Sequence, residues 1–303
     1  MTQAEITPDT APLAEPDLLP GETVRRSGVL RRALRLRRTQ IGLVMFVLVV
    51  GVAVVGPFVA PHSPTEFVGA PFDPPSSSAW LGTDSLGRDV LSRVLHGGWT
   101  VLWMSFSAAA LGLLVGIVIG MTAGFARKAV DDTIMAGTDL VLAFPSIVLV
   151  LMVVSLLGTD LWLIVLLTAA SHAPRVARLS RGLTMDLRGR SFVEAAEVLG
   201  VPRLKVLFSD ILPSMSLPLS VEFGLRLTWS VLLIASLSFL GFGVQAPQSD
   251  WGLIINENRT GISISPLAVL APATLIAMLS ISVSLVSEGL GRTIAGTDRT
   301  EVQ

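Results

Sequence analysis

The sequence predicts an all-α polytopic membrane protein with six transmembrane helices, and three observations carry that expectation. Of its 303 residues, 51% are hydrophobic and only 15% are charged, against about 25% charged in an average soluble domain. The apolar residues gather into runs long enough to cross a bilayer, since roughly 20 helical residues at about 1.5 Å each span about 30 Å of hydrocarbon. The basic residues fall in alternate connections, the asymmetry that orients a helix bundle in a membrane. The net charge of -1 carries little information, because the charges are segregated along the chain.

Residues 1–40 form a tail of two halves. Residues 1–22 hold Glu5, Asp9, Glu15, Asp17 and Glu22, several prolines and no Lys or Arg, a composition that stays disordered. Arg25, Arg26, Arg31, Arg32, Arg35, Arg37 and Arg38 then crowd the approach to the first apolar run, Ile41 to Val59. The basic region is remote from residue 1 and no A-x-A site follows the run, so this is an uncleaved anchor rather than a signal peptide. The spanning domain covers residues 41–290, and 291–303 form a C-terminal tail.

The further passes are Thr100 to Ala126, free of charge; Ile134 to Gly158, with only Asp139; Leu161 to Pro174; Leu227 to Val244; and Ile262 to Val286. The Leu161 run is short, and a re-entrant or buried segment suits it as well as a span that extends into the next loop. Six passes return both termini to the cytoplasm. The loops assigned inside hold Arg127, Lys128, Arg175, Arg178, Arg181, Arg188, Arg190, Arg203 and Lys205, whereas only Arg88, Arg93 and Arg259 fall outside.

Gly112, Gly116, Gly120 and Gly124 recur on one face of the second pass, where a neighbouring backbone can approach closely. That neighbour is another helix of this chain or a partner subunit. Pro145 and Pro272 each remove a backbone donor within a pass, and they mark either broken helices beside a pathway or plain kinks.

Several chemistries are excluded or left without support. There is no cysteine, so thiol catalysis, disulfides and Cys-ligated zinc are ruled out. His62, His96 and His172 show no metal-ligand spacing and read as unrelated loop or helix-end histidines. Neither H-E-x-x-H nor G-x-S-x-G occurs. The only lysines, Lys128 and Lys205, do not follow glycine as a phosphate-binding loop requires, so the chain is not its own ATPase. An ion-coupled transporter needs intramembrane charges, and Asp139 with the Glu222 and Arg226 pair read as interface anchors at span edges.

Between the fourth and fifth passes, residues 191–213 read as a helical hairpin. Ser191 and Glu194 fit a capping box, Gly200 suits a left-handed helix end, and Pro202 suits the first position of the next helix. Leu204, Leu207, Phe208 and Ile211 fall on one apolar face. On physics alone, a loop resting on the membrane surface fits this pattern as well as a lever does.

Glu194, Ala195, Ala196, Gly200, Leu212 and Pro213 match the EAA loop of ABC importer permeases, with Asp210 where the general pattern has Ile. LGTDSLGRDVLSR from Leu81, DLVLAFP from Asp139 and LSFLGFGVQ from Leu237, followed by Pro247, Trp251 and Gly252, resemble the same family. The chain resembles the second permease of dipeptide and oligopeptide importers over most of residues 40–260. Its ending, EGLGRTIAGTD from Glu288, departs from that family. The resemblance implies the type I ABC importer permease fold and a bacterial plasma-membrane location. It also implies a second homologous permease, two ATPase subunits and an extracytoplasmic solute-binding protein as partners. ATP and Mg would belong to the ATPases, with no cofactor, metal or nucleic acid in this chain.

By the same resemblance the six EAA-loop residues couple to the ATPase. Thr83, Asp84, Gly87, Arg88 and Asp89 become a candidate docking surface for the binding protein, although the residues themselves read as a local helix cap, by Thr83 or Asp84, with ion pairs at Arg88 and Asp89. Peptides are the implied substrate. Nickel chelates, glutathione and other small solutes are the alternatives on the same fold.

Overall fold

The computed structural model describes residues 31–295, which fold as helices and turns with two isolated bridges, Phe67 to Arg88 and Thr83 to Asp89, and no strand among the described residues. The acidic half of the N-terminal tail and the last eight residues lie outside them. The helical bundle runs from the start of α1 (Arg37–Val59) to the end of α11 (Leu267–Ala295).

Four helices are long and apolar enough to cross a membrane: α1, α2 (Val90–Phe125), α9 (Ser216–Phe239) and α11. A bent pair, α3 (Lys128–Leu142) and α4 (Ser146–Leu157), turned by 79° at the break, has the length and composition of a fifth, as a broken span or a re-entrant loop. The remaining expected pass, the fourth along the chain, is α5 (Leu161–Arg188), whose 28 residues are ample in length but which is not among the helices apolar enough to cross by composition. Its second half carries Arg175, Arg178, Arg181 and Arg188, so it is amphipathic rather than apolar throughout.

The two prolines behave differently. Pro145 cannot donate a hydrogen bond and disfavours helical backbone at Phe144, so α3 stops at Leu142 and α4 starts afresh with Pro145 as its N-cap. Helix α11 runs through Pro272 in one piece, packed against α1 and α9.

The bundle has two ends. At one, the cap, Trp251 of α10 (Trp251–Asn258) is fully buried among Val49, Ala53, Val94 and Ile254, and its indole N–H donates to the Val94 carbonyl at 2.8 Å. At the other lies the hairpin, α6 (Ser191–Val198), α7 (Arg203–Val206), a π-helical turn (Leu207–Ile211) and α8 (Leu212–Ser214). The start of α1 meets the end of α11 where Gly289 abuts Thr39, so both described chain ends lie at the hairpin end.

The glycine ladder of α2 faces α5 of the same chain, which settles the choice of neighbour. A Cβ at Gly112 would sit 2.9 Å from the Ala169 carbonyl, and one at Gly124 would sit 2.9 Å from the Thr184 Cβ. At Gly116 and Gly120 it would collide with Val176 and with the Ala177 carbonyl. The helices are in backbone contact over four turns. Arg181 of α5 also holds Asp131 of α3 by two hydrogen bonds of 2.5 Å, and Arg178 bonds Asp139 at 2.5 Å.

Gly120→Leu should therefore destabilise the folded chain by about 1–3 kcal/mol or more, the cost of overpacking. Gly182→Ala, on an open side of α5 with nothing within 4 Å, should stabilise it by about 0.5–1 kcal/mol. Thermal denaturation of the purified protein in detergent checks both; equal midpoints would mean that the ladder is not a contact.

Candidate functional site

Three places bear the residues that the sequence singles out, or should have. The first is the hairpin. Helix α6 ends as anticipated: Gly200 has φ +73°, the Val201 N–H donates to the Ala196 carbonyl at 3.0 Å, and the Leu199 N–H donates to the Ala195 carbonyl at 3.0 Å. This six-to-one bond is a Schellman closure, which needs the left-handed residue that glycine supplies. Pro202 caps α7 rather than opening it. The capping-box contact expected of Glu194 falls on a side chain outside the described residues.

The expected apolar face of the second limb is corrected. Leu207 and Ile211 are buried together with Val206 and Met215, whereas Leu204 and Phe208 are 70% and 61% exposed. The cause is the π-helical turn, in which the Leu212 N–H reaches back five residues to the Leu207 carbonyl. A wider turn advances the buried stripe from Val206 to Ile211 and leaves Leu204 and Phe208 facing away. It directly precedes Pro213, whose ring cannot share an ordinary turn with the carbonyl four residues back.

The inner face of the hairpin, Val193, Val206, Leu207, Ile211 and Met215, packs on Met121 and Phe125 at the end of α2. Its outer face presents Phe192, Val198, Leu199, Leu204 and Phe208. Large apolar side chains gathered and exposed in this way mark an interaction surface. Of the six EAA-loop residues, Leu212 joins the inner packing with Ala196, and Ala195 and Gly200 are exposed.

The second place is the cap. Asp84 is fully buried and accepts from Arg88 Nε and Arg93 Nη1, both at 2.7 Å, and from the backbone N–H groups of Leu86 and Arg88. Glu257 accepts from Arg88 at 2.8 Å and Arg93 at 2.5 Å, so two guanidinium groups and two carboxylates balance in a closed cluster. Asn258 accepts the Ser85 N–H at 2.9 Å. Neither Glu257 nor Asn258 was visible from spacing, because each is remote in sequence from the Leu81 to Arg93 block.

The expected local cap is corrected in detail. Asp89 caps α2, accepting from Leu91 and Ser92 N–H groups, while Thr83 bonds the Ala70 carbonyl and the Asp73 N–H. Thr83, Asp84, Gly87, Arg88 and Asp89 are all buried. They build the cap from within, and its surface nearby is made by Leu86, Phe67 and Trp80. Asp250 caps α10, accepting from the Leu253 N–H at 3.1 Å; burial pushes its carboxyl up to about 6, the local hydrogen bonds offsetting only part of the lost hydration.

The third place lies midway along the helices. Glu222 and Arg226, read from sequence as anchors at a span edge, lie within α9 and pair at 2.8 Å, with Arg226 8% exposed. His172, expected at a loop or helix end, is interior to α5 and 3% exposed, and its Nε2 is 3.0 Å from the Ser230 hydroxyl. Helical spacing does put His172 and Arg175 on one face of α5. Their meeting with Arg226 depends on how α5 and α9 pack, which no local signal encodes. Among the described residues no group of His, Asp and Glu is placed to hold a metal ion.

Residues 116–295 match the family described as binding-protein-dependent transport system inner membrane component. The chain is similar to a glutathione transport system permease protein of Pectobacterium atrosepticum, 36% identical over 71% of this chain and 72% of that one. It is 33% identical to a putative peptide transport system permease protein of Brucella suis, over 86% of this chain and 88% of the relative. A di/tripeptide transport system permease protein of Pseudomonas aeruginosa is 34% identical over 82% and 84%. In fold, it resembles a chain of the MetNI methionine ABC transporter solved in inward-facing conformations, with TM-score 0.51 and 18% identity over 68% of this chain and 96% of that one.

The buried cluster and the helix cap should differ in cost. Asp84→Ala strands two guanidinium groups beside a single carboxylate and should destabilise the chain by about 3–5 kcal/mol. Asp89→Ala loses only a cap, about 0.5–2 kcal/mol. Chemical denaturation of both variants in detergent tests the ranking, and the reverse order would show that the cluster is not the stronger tie.

Proposed function

This chain belongs to the family of binding-protein-dependent transport system inner membrane components, and we propose that it is a pore-forming permease of an ATP-driven importer of short peptides. Its relatives named for peptide, di/tripeptide and glutathione transport support that substrate class, glutathione being itself a tripeptide. The partners are a second permease, two ATPase subunits that hold ATP and Mg, and a solute-binding protein. The membrane is the bacterial inner membrane. The hairpin end faces the cytoplasm, in keeping with Arg31, Arg32, Arg35, Arg37 and Arg38 beside it.

The observation that carries this reading is the two-faced hairpin. Its inner face is keyed into the end of α2, and α2 is keyed into α5 by the glycine ladder. A push on the outer face therefore moves a rigid pair of helices instead of bending a loop. An ATPase that grips Leu199, Leu204 and Phe208 would switch the pore between outward and inward access through that linkage, a two-state change driven from outside the chain. The cap presents Leu86, Phe67 and Trp80 to the solute-binding protein, with the buried Thr83, Asp84, Gly87, Arg88 and Asp89 fixing their positions.

Leu199→Asp should reduce recovery of the ATPase subunits with tagged permease by at least about tenfold, a loss of roughly 1.4 kcal/mol, at equal permease in the membrane. Undiminished recovery would leave the hairpin without its assigned role. Gly200→Val should leave assembly intact but uncouple it, because a β-branched residue is strained at positive φ while open space around Gly200 removes any clash. Asn tolerates that backbone, so Gly200→Asn should retain stimulation of ATP hydrolysis by loaded binding protein. If Val and Asn behave alike, backbone conformation is not what matters there.

A further inference from the structure

The broken span creates a second site. A cavity of about 440 Å³ is lined by Ser146 at the start of α4, His172 and Arg175 of α5, and Arg226, Trp229 and Ser236 of α9. Arg226 is the eleventh residue of α9, so it stands about 15 Å along the helix at roughly 1.5 Å per residue. Ionisable groups within a helix long and apolar enough to cross a membrane are costly and mark a pathway.

Four features give the cavity its chemistry. The break at Pro145 exposes the first turn of α4: no side chain caps it, the Val148 and Leu149 N–H groups share the Pro145 carbonyl, and those of Ser146 and Ile147 make no backbone bond among the described residues. A half-helix that begins inside a membrane carries partial positive charge at that end. His172, 97% buried, bonds Ser230 through Nε2 and leaves Nδ1 without a partner among the described residues. Arg226 is neutralised by Glu222, but Arg175 is exposed and has no acidic partner among the described residues.

The balance is one spare cation, N–H donors at a helix start and apolar walls from Trp229, Leu232 and Leu233. We propose that this cavity is a transient carboxylate site, which receives the C-terminal end of a short peptide during translocation. A single negative charge matches one free guanidinium, whereas a phosphate dianion would be left half compensated. The attraction is modest by design, since a passage site must release what it takes. This inference rests on the peptide-permease reading given above.

The absence of cysteine supplies the probe. Trp229→Cys, 58% exposed at the cavity in the native chain, places a single thiol of this chain at the site. The assembled transporter, with a cysteine-free set of partner subunits, is placed in nanodiscs of phosphatidylcholine and the rate of maleimide labelling is followed. Millimolar trialanine should slow labelling at least threefold, and trialanine amide should not. Arg175→Gln in the same background should abolish the protection, and Arg175→Lys should keep most of it. Equal protection by both peptides, or protection that survives Arg175→Gln, would overturn the carboxylate site. Protection by phosphatidylglycerol in place of peptide would assign the anion site to lipid and likewise overturn the proposal. Uptake of trialanine by the unmodified transporter is measured alongside: its absence would refute the peptide-permease reading, whereas uptake without protection would refute only the site.

Discussion

Backbone contact between α2 and α5 is the constraint on which the rest of the molecule depends. In lipid there is no hydrophobic drive for one apolar helix to leave the bilayer for another, so association has to come from close packing. Four glycines at every fourth residue let α2 lie against the Ala169, Ala173 and Ala177 carbonyls of α5. That fit fixes the height of α5, and with it the positions of Arg178 and Arg181, which hold α3, and of His172 and Arg175, which line the cavity. It also makes the end of α2 a firm base for the hairpin.

Three levels of the bundle carry polar or exposed groups that are treated differently. At the cap, Asp84, Glu257, Arg88 and Arg93 close on one another, a scaffold that neutralises its own charge. At mid-height the account is left open by one cation, Arg175. At the hairpin end Phe192, Val198, Leu199, Leu204 and Phe208 are exposed beside charged neighbours such as Arg203 and Lys205, so apolar area there is framed by charge. The proposed solute site and the proposed grip for a partner thus lie at different levels from the self-neutralised cap.

The fold was legible wherever it rests on local chemistry. The spans, the glycine face, the left-handed end at Gly200 and the presence of a hairpin follow from period, composition and turn preference. What escaped was long-range or subtle. The apolar stripe of the second limb was misplaced because a π-helical turn shifts the period by one residue, and only Pro213 hinted at it. Glu222 and Arg226 fall inside a helix and not before it because α9 begins about three turns earlier than its apolar run. Glu257 and Asn258 join the cap across more than 160 residues of chain, and no spacing rule reaches so far.

The uneven polarity of α5 bears on how the chain is made. Its second half, with four arginines, has little affinity for hydrocarbon, yet in the finished protein it runs beside α2 for four turns. A segment of that kind gains entry to a bilayer by pairing with a helix already there, not by partitioning alone. Helix α2 is synthesised first and is charge-free from Thr100 to Ala126, so it is fit to wait in the membrane as the docking rail for its successor. A lesion in the glycine ladder would then be felt at birth, as a chain with its third quarter stranded outside the bilayer and cleared by proteases, before any question of transport arises.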